Sequence, residues 1–297
     1  MMCLCDAKTS YFYNGYIYSG KGSDGEGLTA EEKKLLVPSQ SVLRLSEPLR
    51  NSNRNVTFDN WFTSMELVDA MKKRGLTCIG TVKKNKREIP ESFKPSQRRE
   101  IGSTLYGFTN QTTLVSHVPK KGKAVILASS MHHCEGTDET TGKPEIIAFY
   151  NSTKGGVDEL DKKCSIYSCS RRTRRWPLVL FYRILDISMV NAYIVHQVHH
   201  AKMERGVFLK QLSRQLVLGH MKRRVCAKIP RELKMTMTRI LGPDMPNQVE
   251  PDDSRQKQRK TCAFCPPRLK RKSSYRCKHC QKYICLECAQ KVCIDCL

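Results

Sequence analysis

Three carboxylates in this chain are set against an unusual background. Asp59 lies in V-T-F-D-N-W-F-T-S, and Asp158 and Asp161 lie in K-G-G-V-D-E-L-D. Around them the chain is strongly basic. Over 297 residues, 52 Lys and Arg against 28 Asp and Glu give a formal net charge of +24. Phosphoryl-transfer sites on nucleic acid need such acids, because Mg²⁺ ions flanking a scissile phosphate must be held by hard oxygen ligands. On a helix, Asp158 and Asp161 share one face, a turn apart. That spacing also occurs on ordinary helices, so Asp59 and Asp158 are candidate Mg²⁺ ligands by type, with Asp161 beside them.

The tail carries a second chemistry, and its spacing is the stronger signal. Cys262 and Cys265, Cys277 and Cys280, Cys285 and Cys288, and Cys293 and Cys296 form four C-x-x-C pairs. Each pair presents two thiolates to one tetrahedral Zn²⁺, so eight cysteines match two structural zinc ions. The middle pairs are close in sequence, which favours an interleaved cross-brace. Cys262, Cys265, Cys285 and Cys288 are then expected on one ion, and Cys277, Cys280, Cys293 and Cys296 on the other. A segment this short cannot build its own core, so metal would supply most of its folding energy. Eight thiolates and two zinc ions would move the formal charge to about +20, still strongly basic. The chain has 15 cysteines and no apolar run of signal-peptide length at its start, which points to a reducing compartment and metal ligation.

The charge excess predicts a polyanionic partner, DNA before membrane. Arg171, Arg172, Arg174 and Arg175 crowd the stretch before Trp176. Arginine forks match phosphate oxygens, and such contacts position a duplex without reading its sequence. Lys83, Lys84, Lys86 and Arg87 form a second patch, and Lys270, Arg271 and Lys272 a third, between the first two cysteine pairs. Trp61 and Trp176 are expected as core anchors. His196, His200, His132 and His133 are expected to pack or to face solvent, since no third ligand accompanies either pair.

Several elements must position these residues. Residues 11–18 read as a strand and residues 39–49 as a short helix. Val56, Thr57 and Phe58 form a brief strand that delivers Asp59 at its end. Residues 63–74 show helical spacing closed by Gly75, and residues 77–83 return to a strand. Alternating residues between 98 and 130 predict antiparallel strands, a β-rich insertion (about 84–145) between Asp59 and Asp158. Residues 146–149 read as one further strand. Residues 152–241 are mostly helical, with 176–201 a soluble, buried helix because Arg183 and Asp186 interrupt its apolar run. Residues 242–260 are a polar, proline-bearing linker. The chain divides as a core over 1–241, that linker, and a cysteine-rich zinc domain over 261–297.

The ordered motifs resemble piggyBac transposases. They are D-N-W-F-T-S at Asp59, G-T-V-K-K-N-K-R-E-I-P from Gly80, K-G-G-V-D-E-L-D from Lys154 and Y-S-C-S-R-R-T-R-R-W-P ending at Pro177. The resemblance implies an α/β (α+β) fold with a ribonuclease-H-like core of the DDE superfamily, and DNA transposition by metal-activated cleavage and joining. It places Asp59 at the second catalytic aspartate, Asp158 at the third and Asp161 at the additional carboxylate. The first aspartate belongs upstream of C-D-A-K-T-S, so the set is incomplete and the core lacks a strand; Asp6, inside that segment, is not its replacement. The resemblance further implies a nuclear DNA-binding protein, impaired in catalysis, that is expected to assemble on DNA as a homodimer. Three alternatives stand beside this reading: an active transposase whose start lies further upstream, a zinc module that binds chromatin proteins, and a transposon remnant with no selected role.

Overall fold

The computed structural model describes residues 1–242, 259–277 and 280–290. Two compact units result, Met1–Leu212 and Ser213–Leu297.

The first unit is a mixed α/β layer. Strands β1 (Met2–Cys5) and β2 (Phe12–Tyr16) pair antiparallel. Their loop is built by Asp6, whose carboxylate accepts from the Thr9 backbone N–H at 2.7 Å and the Thr9 hydroxyl at 2.6 Å. Those bonds, the hydroxyl's first, hold the Asp6 carboxyl below the usual range, so Asp6 is a turn-former. Helix α1 (Val37–Ser46) covers this pair, with Pro38 in its first turn.

The second sheet has five strands: β3 (Asn55–Phe58), β4 (Thr77–Thr81), β5 (Thr104–Phe108), β6 (Thr113–Lys120) and β7 (Lys123–Ser129), ordered β3-β4-β7-β6-β5. β3 and β4 run parallel, so a crossover is required, and helix α2 (Met65–Lys73) supplies it. Ser64 caps α2 by accepting from the Leu67 N–H at 3.2 Å. Gly75 ends the turn at φ 64°, where a side chain would also meet Asn51. The strands expected as a β-rich insertion do lie between Asp59 and Asp158 in sequence. In space they extend the same sheet, because β7 pairs antiparallel with β4.

One expectation fails here. Residues 146–149, read as a strand, belong to helix α3 (Glu145–Thr153). Ile146, Ile147 and Tyr150 are buried on one side, a helical spacing that the four-residue apolar run concealed. Gly155 then separates α3 from α4 (Gly156–Ile166), and α5 (Trp176–His199) follows.

The sheets are covered on both faces. Leu4, Val56, Phe58 and Cys78 pack into the cluster under α1 and α2. Ile79 faces α3, and Cys5 and Phe12 face α4 and α5. Helix α5 is long and apolar enough to cross a membrane by length and composition. The expected burial of this helix is corrected, since only Asp186, Ile187 and Val190 along it are buried. Both tryptophans also depart from expectation. Trp61 is 50% exposed and Trp176 71% exposed, because each sits at a loop–element junction outside the apolar stripe.

In the second unit, α6 (Arg205–Val225), which begins in the first, and α7 (Arg231–Leu241) meet around Val225, Met237 and Leu241. Strands β8 (Lys260–Thr261) and β9 (Lys272–Ser273) form a small antiparallel pair. Most of the expected linker lies outside the described residues, as do Cys293 and Cys296.

Candidate functional site

The first unit gathers the three acids at one cleft of about 670 Å³. Asp59 leaves the C-terminal end of β3. Asp158 and Asp161 project from the first two turns of α4, and Lys154 and Arg183 complete the polar lining. The structure thus brings together on one cleft the three acids that the sequence singled out. Sequence reasoning missed Arg183 as a cleft residue, because its partner Asp161 lies 22 residues earlier on another helix.

Their partners limit what the acids can do. Asp59 Oδ1 accepts from the Trp61 N–H at 2.8 Å, and its backbone carbonyl accepts from the Thr63 hydroxyl at 2.9 Å. Half of that carboxylate is therefore occupied in its own turn. Asp161 is ion-paired with Arg183. A guanidinium there supplies the positive charge that a cation would otherwise bring. All three acids are exposed. They also fail a convergence test: among the described residues, only the tail cysteines place three or more ligand atoms within 4.8 Å of one another. The acidic residues as arranged do not fit a preformed divalent-metal centre.

A basic rim adjoins this cleft. Val179 and Leu180, in the first turns of α5, line it, so the run Arg171, Arg172, Arg174 and Arg175 ends beside it. All four arginines are exposed, and among the described residues none makes an ion pair. Asp186, buried on α5, holds the base of their loop. It accepts from the Cys169 N–H at 2.8 Å and the Ser168 hydroxyl at 2.7 Å. In the sequence Asp186 shows only as a charge interrupting an apolar run. The patch from Lys83 to Arg87 follows β4, and β4 is parallel to β3, so it leaves the sheet at the same end as Asp59.

The second unit contains the cysteine centre. Cys262, Cys265, Cys285 and Cys288 converge within 4.8 Å, the first of the two expected sets. Cys265 Sγ lies 3.5 Å from both Cys285 Sγ and Cys288 Sγ. A tetrahedral ion with metal–sulfur bonds of about 2.3 Å sets sulfurs about 3.8 Å apart, so this donor set fits a zinc-like ion. The Phe264 N–H, with that of Cys285, lowers the Cys262 thiol to about 6, as suits a thiolate ligand. Cys277 and Cys280 are described, but their expected partners Cys293 and Cys296 are not, so the second set lies partly outside the described residues. Of the third patch, Lys270 and Lys272 are exposed, whereas Arg271 is ion-paired with Glu287.

Comparison with known proteins gives this arrangement a lineage. Residues 1–193 match a family model described as Transposase IS4. A solved structure, the piggyBac transposase synaptic complex with hairpin DNA, superposes with a TM-score of 0.72 at 37% identity, covering 99% of this chain and 62% of that one. The chain belongs to the piggyBac transposase-derived family. Among human relatives, PiggyBac transposable element-derived protein 3 is 25% identical over 207 residues, and protein 2 is 22% identical over 201 residues. Each match covers 34% of the human protein, so this piggyBac-derived chain spans about a third of the length of the curated relatives it matches.

Proposed function

We propose that this chain is a nuclear DNA-binding protein in which the ancestral DDE nuclease chemistry is impaired. The reading takes the α/β layer as a ribonuclease-H-like core, with Asp59 and Asp158 in the second and third catalytic positions. The observation that carries it is the exposed run of four arginines, without an ion pair among the described residues, at the rim of a cleft whose Asp161 is already neutralised by Arg183. Such a surface attracts a phosphate backbone but offers little to hold a catalytic ion.

The cysteine tail is the supporting element. Zn²⁺ bound by Cys262, Cys265, Cys285 and Cys288 would fix its fold, with a second ion on Cys277, Cys280, Cys293 and Cys296. Lys270 and Lys272 then add a DNA contact, and the protein acts as a homodimer on its duplex. The test pairs two assays on one preparation. Duplex binding should weaken steeply as salt rises, because phosphate contacts release counterions. Nicking of the same duplex should stay at background with Mg²⁺ or Mn²⁺. Salt-independent binding would refute the DNA reading, and metal-dependent nicking would refute the impairment.

A further inference from the structure

β5 is the outermost strand of the five-stranded sheet, at the end away from β3 and the acidic cleft. It pairs antiparallel with β6 alone, Thr104 lying opposite His117 and Phe108 opposite Thr113. In such a ladder alternate residues bond the neighbour, and the others point away. The bond from the Thr109 N–H to the Thr112 carbonyl at 2.9 Å fixes which are which. Leu105 and Gly107 bond β6, so the N–H and C=O groups of Thr104, Tyr106 and Phe108 point outward. Among the described residues those groups find no hydrogen-bond partner. Natural edge strands are generally blunted by lysine, proline or a bulge. The T-L-Y-G-F of β5 carries neither residue, and its register with β6 is unbroken.

The surroundings of this edge are apolar and acidic, in a chain of formal net charge +24. Ile101, Leu105 and Phe108 are exposed. The Phe108 ring stacks beside Tyr106 at 6.1 Å, and the Tyr106 hydroxyl donates to the Gly136 carbonyl at 3.0 Å. That bond brings Glu135 to the same face. Burial first, and then the Glu135 charge, pushes the Tyr106 phenol up. On the opposite face, Leu105 borders a groove of about 630 Å³ that Glu91 and Glu100 also line. Arg99 in that groove is turned inward, donating to the Ser116 hydroxyl at 2.7 Å and the Ser116 carbonyl at 2.8 Å. Glu91 is paired with Lys94, whereas Glu100 and Glu135 are exposed and make no ion pair among the described residues. Exposed acids repel a phosphate backbone, so this edge suits a cationic polypeptide and not DNA.

We propose that the outer edge of β5 accepts an extended, basic segment of a partner polypeptide, which adds to the sheet as a sixth strand. The segment runs antiparallel to β5. Its residues opposite Phe108, Tyr106 and Thr104 make the backbone bonds and share the Tyr106 face. Those opposite Gly107 and Leu105 lie over the groove. Apolar side chains opposite Phe108 and Leu105 cover the exposed apolar surface. A lysine opposite Tyr106 reaches Glu135, and one opposite Ser103 reaches Glu100. Backbone bonds supply affinity, as in strand addition generally, and the two acids select the charge of the partner. This inference concerns a polypeptide ligand and stands apart from DNA binding.

The probe is the peptide acetyl-Val-Ile-Lys-Val-Thr-Lys-amide, fluorescently labelled and titrated into the full chain. Saturable binding is expected, with hydrogen exchange slowed in segment 104–108. N-methylation of the first, third and fifth amides removes the donors aimed at β5 and should weaken binding by at least about tenfold. N-methylation of the second and fourth amides, which point away, should leave it nearly unchanged. Glutamate in place of both lysines, or Glu100→Gln with Glu135→Gln in the chain, should each weaken binding by at least about threefold. No saturable binding, equal losses from the two methylation patterns, full binding of the glutamate peptide, or protection confined to other segments would each overturn the proposal. A free chain that is already dimeric, with 104–108 protected before peptide is added, would overturn it in favour of a second copy at this edge.

Discussion

Replacing Arg171, Arg172, Arg174 and Arg175 together by glutamine gives the most direct test of the proposed DNA binding. The structure makes the perturbation clean. All four side chains are exposed and make no ion pair among the described residues, and the loop is held from below by Asp186, so the fold should keep its melting temperature. Its effect on binding can be worked out. Each phosphate neutralised contributes about −0.9 to the slope of log K against log salt, so four contacts contribute about −3.6. Between 50 and 200 mM salt, those contacts alone cost the parent chain about 150-fold in affinity. The variant should lack that component, giving a shallower slope by about 3.6 and its largest deficit at low salt. Fluorescence anisotropy with a labelled 20-base-pair duplex at four salt concentrations measures both. An unchanged slope with intact folding would refute the assignment of this run to the phosphate backbone.

Other changes probe the supports. Asp186→Asn keeps one acceptor but loses a charged one, and should cost about 2 kcal/mol in thermal or urea unfolding. Removing metal with a strong chelator should release the bound ions and unfold the cysteine tail while the α/β unit keeps its far-ultraviolet spectrum; metal analysis of Cys265→Ser should show one ion fewer per chain. Burial first, with smaller charge effects, pushes the Cys78 thiol up to about 11, so iodoacetamide at pH 8 should alkylate exposed Cys134 and Cys226 well before Cys78, as read by mass spectrometry. Asp6 has a depressed carboxyl pKa in the fold. Its stabilising effect is therefore present above the unfolded carboxylate pKa and lost as pH falls through the lower folded value, so the stability gap between the parent and Asp6→Asn should close on acidification.

Much of the site could be read from sequence because the chemistry was local. Asp59 follows a short strand, Asp158 and Asp161 share a helical turn, and the C-x-x-C spacing brought four thiols to one point. What escaped depended on distant partners. The apolar residues of α3 were too few to separate a helix from a strand by period. Nothing near residues 98–130 in the sequence indicates that β7 will pair with β4, since register across 50 residues is set by tertiary contacts. The exposure of Trp61 and Trp176 reflects their position at element junctions, where a large ring can sit on the surface. Arg183 entered the cleft only through the packing of α5 beside α4.

The glycine at the start of α4 has a mechanical consequence. Gly156 rests against Asp6, Lys163 donates to the Thr9 carbonyl at 3.0 Å, and Asn191 clasps Phe12, so α4 and α5 are fastened to the two-stranded sheet. Asp59 is carried instead by the five-stranded sheet. The carboxylates on opposite walls of the cleft thus ride on different sheets, which the Thr57 hydroxyl bond to Thr153 at 2.8 Å ties together through α3. Their separation is set by how α3 packs on the five-stranded sheet and α4 on the two-stranded one.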